Sequence, residues 1–259
     1  MSTQISEFKT LITQMVEVSK EVAKKHYRTG FDIIHKEDQS PVTIADREIE
    51  KQLRGIIEKE RPEDGFLGEE FGTKESQNGL TWVVDPIDGT KSFIAGRPSF
   101  GTLIGLWDGE VPLLGAIYQP ITDELWLGVK DQGTTLNGSA IHTNNNSNQD
   151  KLRIGSTSPS QFEENTELLK ALRNVADFFV WGGDCYLYGM LAFGGLDVVI
   201  ETGLATYDYA AIPSVVIGAG GQVSDWSGNK ITLDSNGDFL CAANQETKET
   251  ILNIIAQSK

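Results

Sequence analysis

An α/β (α+β) layered sandwich, with an antiparallel-rich sheet in the N-terminal half and a smaller α/β layer in the C-terminal half, is the fold class this sequence predicts. Three observations carry that expectation. Two amphipathic helical patterns open the chain, and a run of strand-like segments joined by short turns follows to about residue 140. Strands and helices then alternate to the end. At 259 residues the chain is long enough to bury a large core.

In order, Ile5, Phe8, Leu11, Ile12, Met15, Val18 and Val22 recur at helical spacing and predict a helix over 4–27. The polar stretch HKEDQSPVT is a loop. A second helix runs from about Ile44 to Lys59, and Pro62 bars it from continuing far. From Phe66 the pattern becomes strand-like in FLGEEFG, TWVVD, GTLIGLWDG, PLLGAIYQP and ELWLGVK, with Asp108-Gly109 as a hairpin turn. The polar run HTNNNSNQD reads as a linker. It divides the chain into a half over 1–145, with most of the candidate ligands, and a half over 146–259, the two forming one functional unit. The second half reads as strand KLRIGS, a helix near 160–174, strand DFFVWG, a helix near 184–193 and strand LDVVIETG. A helix near 208–219, strands in GGQVSDW and FLCAA, and a last helix from about Gln245 complete it.

Composition narrows the function. A formal charge of −15 argues against nonspecific binding to nucleic acid or an anionic membrane, which need clustered Lys and Arg. An anionic substrate stays possible if metal ions receive it. Two cysteines, Cys185 and Cys241, make no disulfide framework and no zinc spacing, so the reducing cytoplasm is the expected location. Glu7 and Glu17 interrupt the apolar residues of the N-terminal segment, which therefore does not read as a signal peptide. No run approaches the ~18 apolar residues of a membrane span.

The chemistry concentrates in TWVVDPIDGTKSF, where an apolar strand runs into Asp85 and Asp88. Buried carboxylates need cations, protons or donors. Glu69 and Glu70 in GEE, Asp46 in VTIAD and Asp208 in YDYAA also sit where strands end or helices begin. Each has a bland alternative. Thr43 and Asp46 match a helix capping box, Glu69 and Glu70 a solvated strand end, Asp208 a helix N-terminal acid, and DPIDG a turn. Taken together they suit hard cations such as Mg²⁺. Gly89, Thr90 and Lys91 open a helix whose free amides suit a phosphate. Carboxylates for metals beside a cradle for phosphate describe metal-assisted phosphoryl hydrolysis, in which metals clamp the displacement and acidify water. Neither cysteine is followed by an Arg six positions on, and the two Asp flank two residues rather than one. His26, His35 and His142 form no phospho-histidine signature and read as surface residues.

The segments KEDQSPVTIAD, GEE, VVDPIDGTKSF, LNG and YDYAA with GAGG, spanning 36–221, resemble the inositol-monophosphatase-like family of lithium-sensitive, Mg²⁺-dependent phosphatases. The resemblance implies the layered sandwich of the inositol monophosphatase type, a homodimer, two or three Mg²⁺ ions and inhibition by Li⁺. It implies Glu69, Asp85, Asp88, Asp208 and the Ile87 carbonyl as metal ligands, with Glu70 behind them. Thr90 and Asp46 would orient and deprotonate the attacking water, Glu69 would take part in catalysis through its metal, and the Gly89 and Thr90 amides would bind phosphate. No covalent phospho-enzyme is implied.

Within the family, DGTKSF, KSFIAGRPSFGTLIGL, IYQPITDELWLG, TTLNG and WGGDCYLYGMLAFGGLDVVIETGL are most similar to the histidinol-phosphate phosphatases. The resemblance implies hydrolysis of L-histidinol phosphate in histidine biosynthesis. Inositol-1-phosphate phosphatase and 3′(2′),5′-bisphosphate nucleotidase are the alternatives, and a catalytically silent scaffold the remote one. Asp184 and Glu201, beside Asp208, are the implied substrate residues. The acid at Asp184 would attract the amine of histidinol, a charge-assisted bond worth about 10- to 100-fold in discrimination. Its bland alternative is a helix N-cap. Cys185 and Tyr186 read as packing; Lys36 and Lys91 read as solvated lysines, with easing of phosphate entry as the alternative.

Overall fold

The computed structural model describes residues 2–29, 34–35, 41–145 and 151–258. Helices α1 (Ser2–His26) and α2 (Ile44–Glu60) stand where the periodicity places them. Between them β1 (Ile34–His35) and β2 (Pro41–Val42) pair antiparallel. Of the loop, Lys36 lies outside the described residues, as does the linker beyond residue 145.

The first sheet contains β3 (Gly65–Gly68), β4 (Gly72–Lys74), β5 (Leu80–Asp88), β6 (Gly101–Asp108), β7 (Val111–Gln119), β8 (Glu124–Val129), β9 (Gly133–Leu136) and β10 (Ser139–Ala140). Its order is β10-β9-β8-β7-β6-β5-β3-β4, and every pairing is antiparallel except that of β3 with β5. Asp108 faces Val111 across the expected hairpin. FLGEEFG is not one strand. It turns at Glu69–Phe71, so that β3 and β4 pair with each other. Nor does the central strand stop at Asp85. It runs on to Asp88 with a register shift between the two aspartates.

Short helix α3 (Thr90–Ala95) follows β5 directly. The second sheet, ordered β12-β11-β13-β15-β14, takes β11 (Leu152–Ser156), β12 (Ala176–Trp181), β13 (Val198–Glu201), β14 (Gln222–Ser224) and β15 (Phe239–Ala242). β11 is parallel to both neighbours, and β15 is antiparallel to both of its own. The helix expected near 160–174 is a 3₁₀ turn (Pro159–Phe162) and then α4 (Thr166–Val175), separated because the Asn165 side chain caps α4. After α5 (Tyr186–Ala192), the helix expected near 208–219 is likewise two, α6 (Thr206–Tyr209) and α7 (Ile212–Gly218), with Pro213 in the first turn of the second. Helix α8 (Gln245–Gln257) ends the chain.

Strand alternation sorts the apolar residues into layers. Trp82 and Val84 of β5 join Ile104 and Leu106 of β6 under α1 and α2. Val83 and Leu103 face the other way and meet α5, α7, Val199 and Phe239 in a core shared by both sheets. Val198, Ile200 and Leu240 point outward beneath α4 and α8. The order is therefore helices, sheet, helices, sheet, helices. No described helix is long and apolar enough to cross a membrane. His26 is not a surface residue: it is largely buried at the end of α1 and pairs with Glu48 at 3.0 Å.

One device joins the two sheets. Gly105, Gly115 and Gly128 are cross-strand neighbours on β6, β7 and β8. Their Cα atoms form a smooth stripe against which the backbone of residues 210–215 lies. A Cβ on Gly115 would collide with the Ala211 carbonyl, and one on Gly128 with that of Ser214. Gly115→Ala is expected to cost about 1–3 kcal/mol, or several degrees of melting temperature, because the obstacle is backbone and cannot rotate away. A melting curve equal to the parent's would refute this reading of the stripe.

Candidate active site

Asp46 lies in the first turn of α2, and its bland reading holds. Thr43 caps the helix, and Asp46 Oδ2 accepts the Thr43 amide at 2.9 Å together with the Thr43 hydroxyl. The cap leaves Asp46 Oδ1 buried and without a hydrogen-bond partner. Burial pushes this carboxyl up to about 7 against the Thr43 bonds, and the charges of Glu69 and Glu70 add to the rise. One oxygen each from Asp46, Glu69 and Glu70 lies within 4.8 Å of the others. Arg47, at the rim, approaches Glu70 at 3.7 Å.

The second group comes from β5 and α6. In a regular strand, residues three apart point to opposite faces. The register shift between Asp85 and Asp88 cancels that opposition. Asp85, Asp88 and Asp208 thus bring one oxygen each within 4.8 Å of one another. Ile87 sends its side chain into the core and keeps its carbonyl at this turn. Asp85 is 2% exposed, and its Oδ1 has no hydrogen-bond partner. Burial and then the charges of Glu69, Asp88 and Asp208 hold its carboxyl well above the usual range. Asp88 is raised by burial, Asp184 and Asp208, although its Oδ2 accepts the Cys185 amide at 2.5 Å. Asp208 accepts the Ala205 amide at 2.7 Å, and burial still lifts it to about 7.

Where β5 ends, Gly89 takes φ 80° and starts α3. A Cβ there would meet Asp184 Cγ at 2.6 Å. The first amides of α3, which follow Asp88 and Gly89, have no partner within the helix. The Thr90 hydroxyl donates to the Ile87 carbonyl at 3.2 Å, while Asp46 is engaged with Thr43. The two expected partners in water activation therefore face other groups here.

Asp184 is not an N-cap. Cys185 takes the N-cap position of α5 without a side-chain capping bond, and Asp184 sits at φ 48° with its carboxylate turned to the β5–α3 corner. Its Oδ2 accepts the hydroxyls of Ser92 at 2.6 Å and Ser99 at 3.0 Å. Glu201 ends β13 at 3% exposure and accepts the Thr157 amide at 2.7 Å and the Tyr188 hydroxyl at 2.8 Å. Burial raises Glu201 against both bonds, and the charge of Asp184 adds to it. The charge of Asp184 raises both Asp88 and Glu201. Cys185 is packing, its thiol pushed up by burial, and Tyr186 bonds Glu124 at 2.7 Å. Lys91 is exposed on α3.

Sequence reasoning missed the residues that hold the others in place: Glu50 and Arg54 behind the β3–β4 turn, Ser92 and Ser99 under Asp184, and Thr157 and Tyr188 under Glu201. Only Glu50 and Arg54 carried a signal, since they follow Asp46 at intervals of four along one helix face. The orphaned buried oxygens of Asp46 and Asp85, within an all-oxygen donor set, fit hard divalent cations such as Mg²⁺.

Residues 4–259 match the model of the inositol monophosphatase family. The chain is 41% identical to the chloroplastic bifunctional phosphatase IMPL2 of Arabidopsis thaliana over 259 residues, covering 98% of this chain and 72% of that one. It is 32% identical to a histidinol-phosphatase of Chlorobaculum parvum, covering 90% of each. A solved inositol monophosphatase from Zymomonas mobilis superposes with a TM-score of 0.88 at 40% identity, over 97% of this chain and 98% of that one.

Proposed function

Because this chain belongs to the inositol monophosphatase family and is a phosphatase of that family, we propose that it is a Mg²⁺-dependent phosphomonoesterase whose preferred substrate is L-histidinol phosphate. Similarity alone does not select the substrate, since relatives of 40–41% identity include an inositol monophosphatase and a bifunctional phosphatase. The observation that carries the choice is Asp184. Its Oδ2 is held by two hydroxyls beside Gly89, and its charge acts on Asp88 and on buried Glu201. Such a set of carboxylates favours a leaving group that brings positive charge. The ammonium of histidinol does so, and neither inositol nor adenosine does.

The residues divide the work accordingly. Asp46, Glu69, Asp85, Asp88, Asp208 and the Ile87 carbonyl would hold the cations. Bound Mg²⁺ supplies Lewis-acid polarisation of the phosphoryl group and neutralises the surrounding carboxylates. The Gly89 and Thr90 amides orient the phosphoryl oxygens. Thr90 and Asp46 would place and deprotonate the attacking water, Asp46 through the Oδ1 that the Thr43 cap leaves without a partner. Asp184 and Glu201 bind the leaving group. By the same family likeness the chain acts as a homodimer inhibited by Li⁺, and its two cysteines, which make no disulfide framework, suit a reducing cytoplasm. Light scattering tests the dimer.

The test is phosphate release from L-histidinol phosphate, inositol 1-phosphate and 3′-phosphoadenosine 5′-phosphate at matched Mg²⁺. We expect kcat/KM to favour histidinol phosphate by at least about tenfold, and Asp184→Asn to remove most of that preference while sparing inositol 1-phosphate. A win for either competitor ends the substrate assignment and leaves the metal chemistry standing.

A further inference from the structure

We propose that Glu50 and Arg54 are positioning residues for the metal centre, clamping the β3–β4 turn that carries Glu69 and Glu70 and thereby setting the affinity for divalent cations. The inference rests on the metal reading above. Glu50 lies one helical turn beyond Asp46 on α2 and is fully buried. Its Oε2 accepts the Glu70 amide at 2.6 Å and its Oε1 the Phe71 amide at 3.0 Å. Arg54, a further turn along, reaches Glu50 Oε1 at 3.2 Å and donates to the Gly72 carbonyl at 2.7 Å. Its guanidinium lies 4.3 Å from the centre of the Phe66 ring. The turn is therefore held from α2 by two of its amides and by the carbonyl that follows them.

Gly68 completes the clamp, because a Cβ there would collide with the Glu50 carboxylate. A hairpin turn with Phe71 half exposed at its tip has no need of an internal acid, since water satisfies such amides elsewhere. Burying a carboxylate is costly unless donors meet it. Here the donors are the turn amides themselves, so the carboxylate and the turn conformation stabilise each other. The same helix presents Asp46, which meets Glu69 and Glu70 within 4.8 Å. One rigid element thus supplies a ligand and fixes the loop that brings its partners. Residues that orient ligands in this way typically change metal affinity by about 10- to 100-fold.

The test is titration of metal-free protein with MnCl₂, followed by electron paramagnetic resonance of free Mn²⁺, for the parent, Glu50→Gln and Arg54→Lys. Gln keeps the volume but offers one acceptor to two amides. Lys keeps the charge but is shorter and loses the planar guanidinium, whose Nη2 bonds both Glu50 Oε1 and the Gly72 carbonyl and which lies against the Phe66 ring. We expect Glu50→Gln to bind Mn²⁺ at least about tenfold more weakly, and Arg54→Lys to shift in the same direction by less. In turnover, the Mg²⁺ concentration for half-maximal rate should rise. The substrate KM and the rate at saturating Mg²⁺ should stay near the parent's, a split that general loosening of the fold would not produce. Folded Glu50→Gln with parental Mn²⁺ affinity overturns the inference alone. If Glu50→Gln does not fold, parental affinity in Arg54→Lys overturns it. A parent that binds no Mn²⁺ overturns the metal reading and this inference with it.

Discussion

Asp85→Asn is expected to lower kcat/KM for phosphate release by on the order of a thousandfold while raising the melting temperature of the metal-free protein. The two effects have one cause. Asp85 is buried, and its Oδ1 has no protein partner. Burial and the neighbouring carboxylates Glu69, Asp88, Asp208 and Asp46 all oppose its ionised form. An ionised Asp85 is thus destabilising until a cation meets it. An amide keeps the shape, removes the charge and cannot replace a carboxylate toward Mg²⁺. Opposite signs in activity and stability are what a metal ligand produces and what a structural carboxylate does not. Phosphate release that survives Asp85→Asn would disprove the mechanism. A fall in metal-free stability would show that Asp85 has a structural role not visible in its contacts.

The second large effect concerns pH. Asp46 and Asp208 rise from an ordinary value near 3.8 to about 7 in the fold, and burial raises Asp85 and Asp88 as well. A carboxyl with a raised folded pKa binds more protons folded than unfolded between those two values. Its contribution to stability is fully present below about 4 and is lost as pH climbs through about 7. Glu201 acts in the same direction. Asp197 is lowered because bonds from Arg153 and Asn144 outweigh its burial, so its contribution changes only near and below the ordinary carboxylate range. With EDTA present, the melting temperature is therefore expected to fall from pH 5.5 to pH 8, by on the order of 5–10 °C. With saturating Mg²⁺ the fall should shrink or reverse, because cations compete with protons for the same oxygens. Calorimetry at four pH values, with EDTA and with Mg²⁺, makes the comparison. A metal-free melting temperature that is flat or rising across the window would contradict the electrostatics described here.

Several parts of this molecule were legible in the sequence because their causes are local. The spacing of Phe8, Leu11, Ile12 and Met15 marks a buried helix stripe wherever the helix packs. Runs such as GTLIGLWD and PLLGAIYQ are apolar on both faces because both faces of that sheet are covered. The carboxylates of GEE, DPID and YDYA announced oxygen chemistry, and DGTK announced a helix start beside it.

Other parts depend on residues that meet only in three dimensions. The register shift at Pro86 and Ile87 is a property of β5 against β6, and it alone puts Asp85 and Asp88 on one side. Thr43 and Asp46 read as a cap or as catalytic machinery. The fold makes the cap and leaves the second oxygen of Asp46 over for the site. Ser92 and Ser99 reach Asp184 across 92 and 85 residues of chain, a pairing no periodicity encodes. The glycines at 105, 115 and 128 look like three interruptions of three strands until the register aligns them into the stripe that seats the segment following Asp208. By itself the sequence determined the layered fold class and which carboxylates are available, since periodicity and side-chain chemistry are carried residue by residue. Only the tertiary structure decided which oxygens are satisfied and which remain for a ligand, because that depends on donors delivered from distant elements at hydrogen-bond distance.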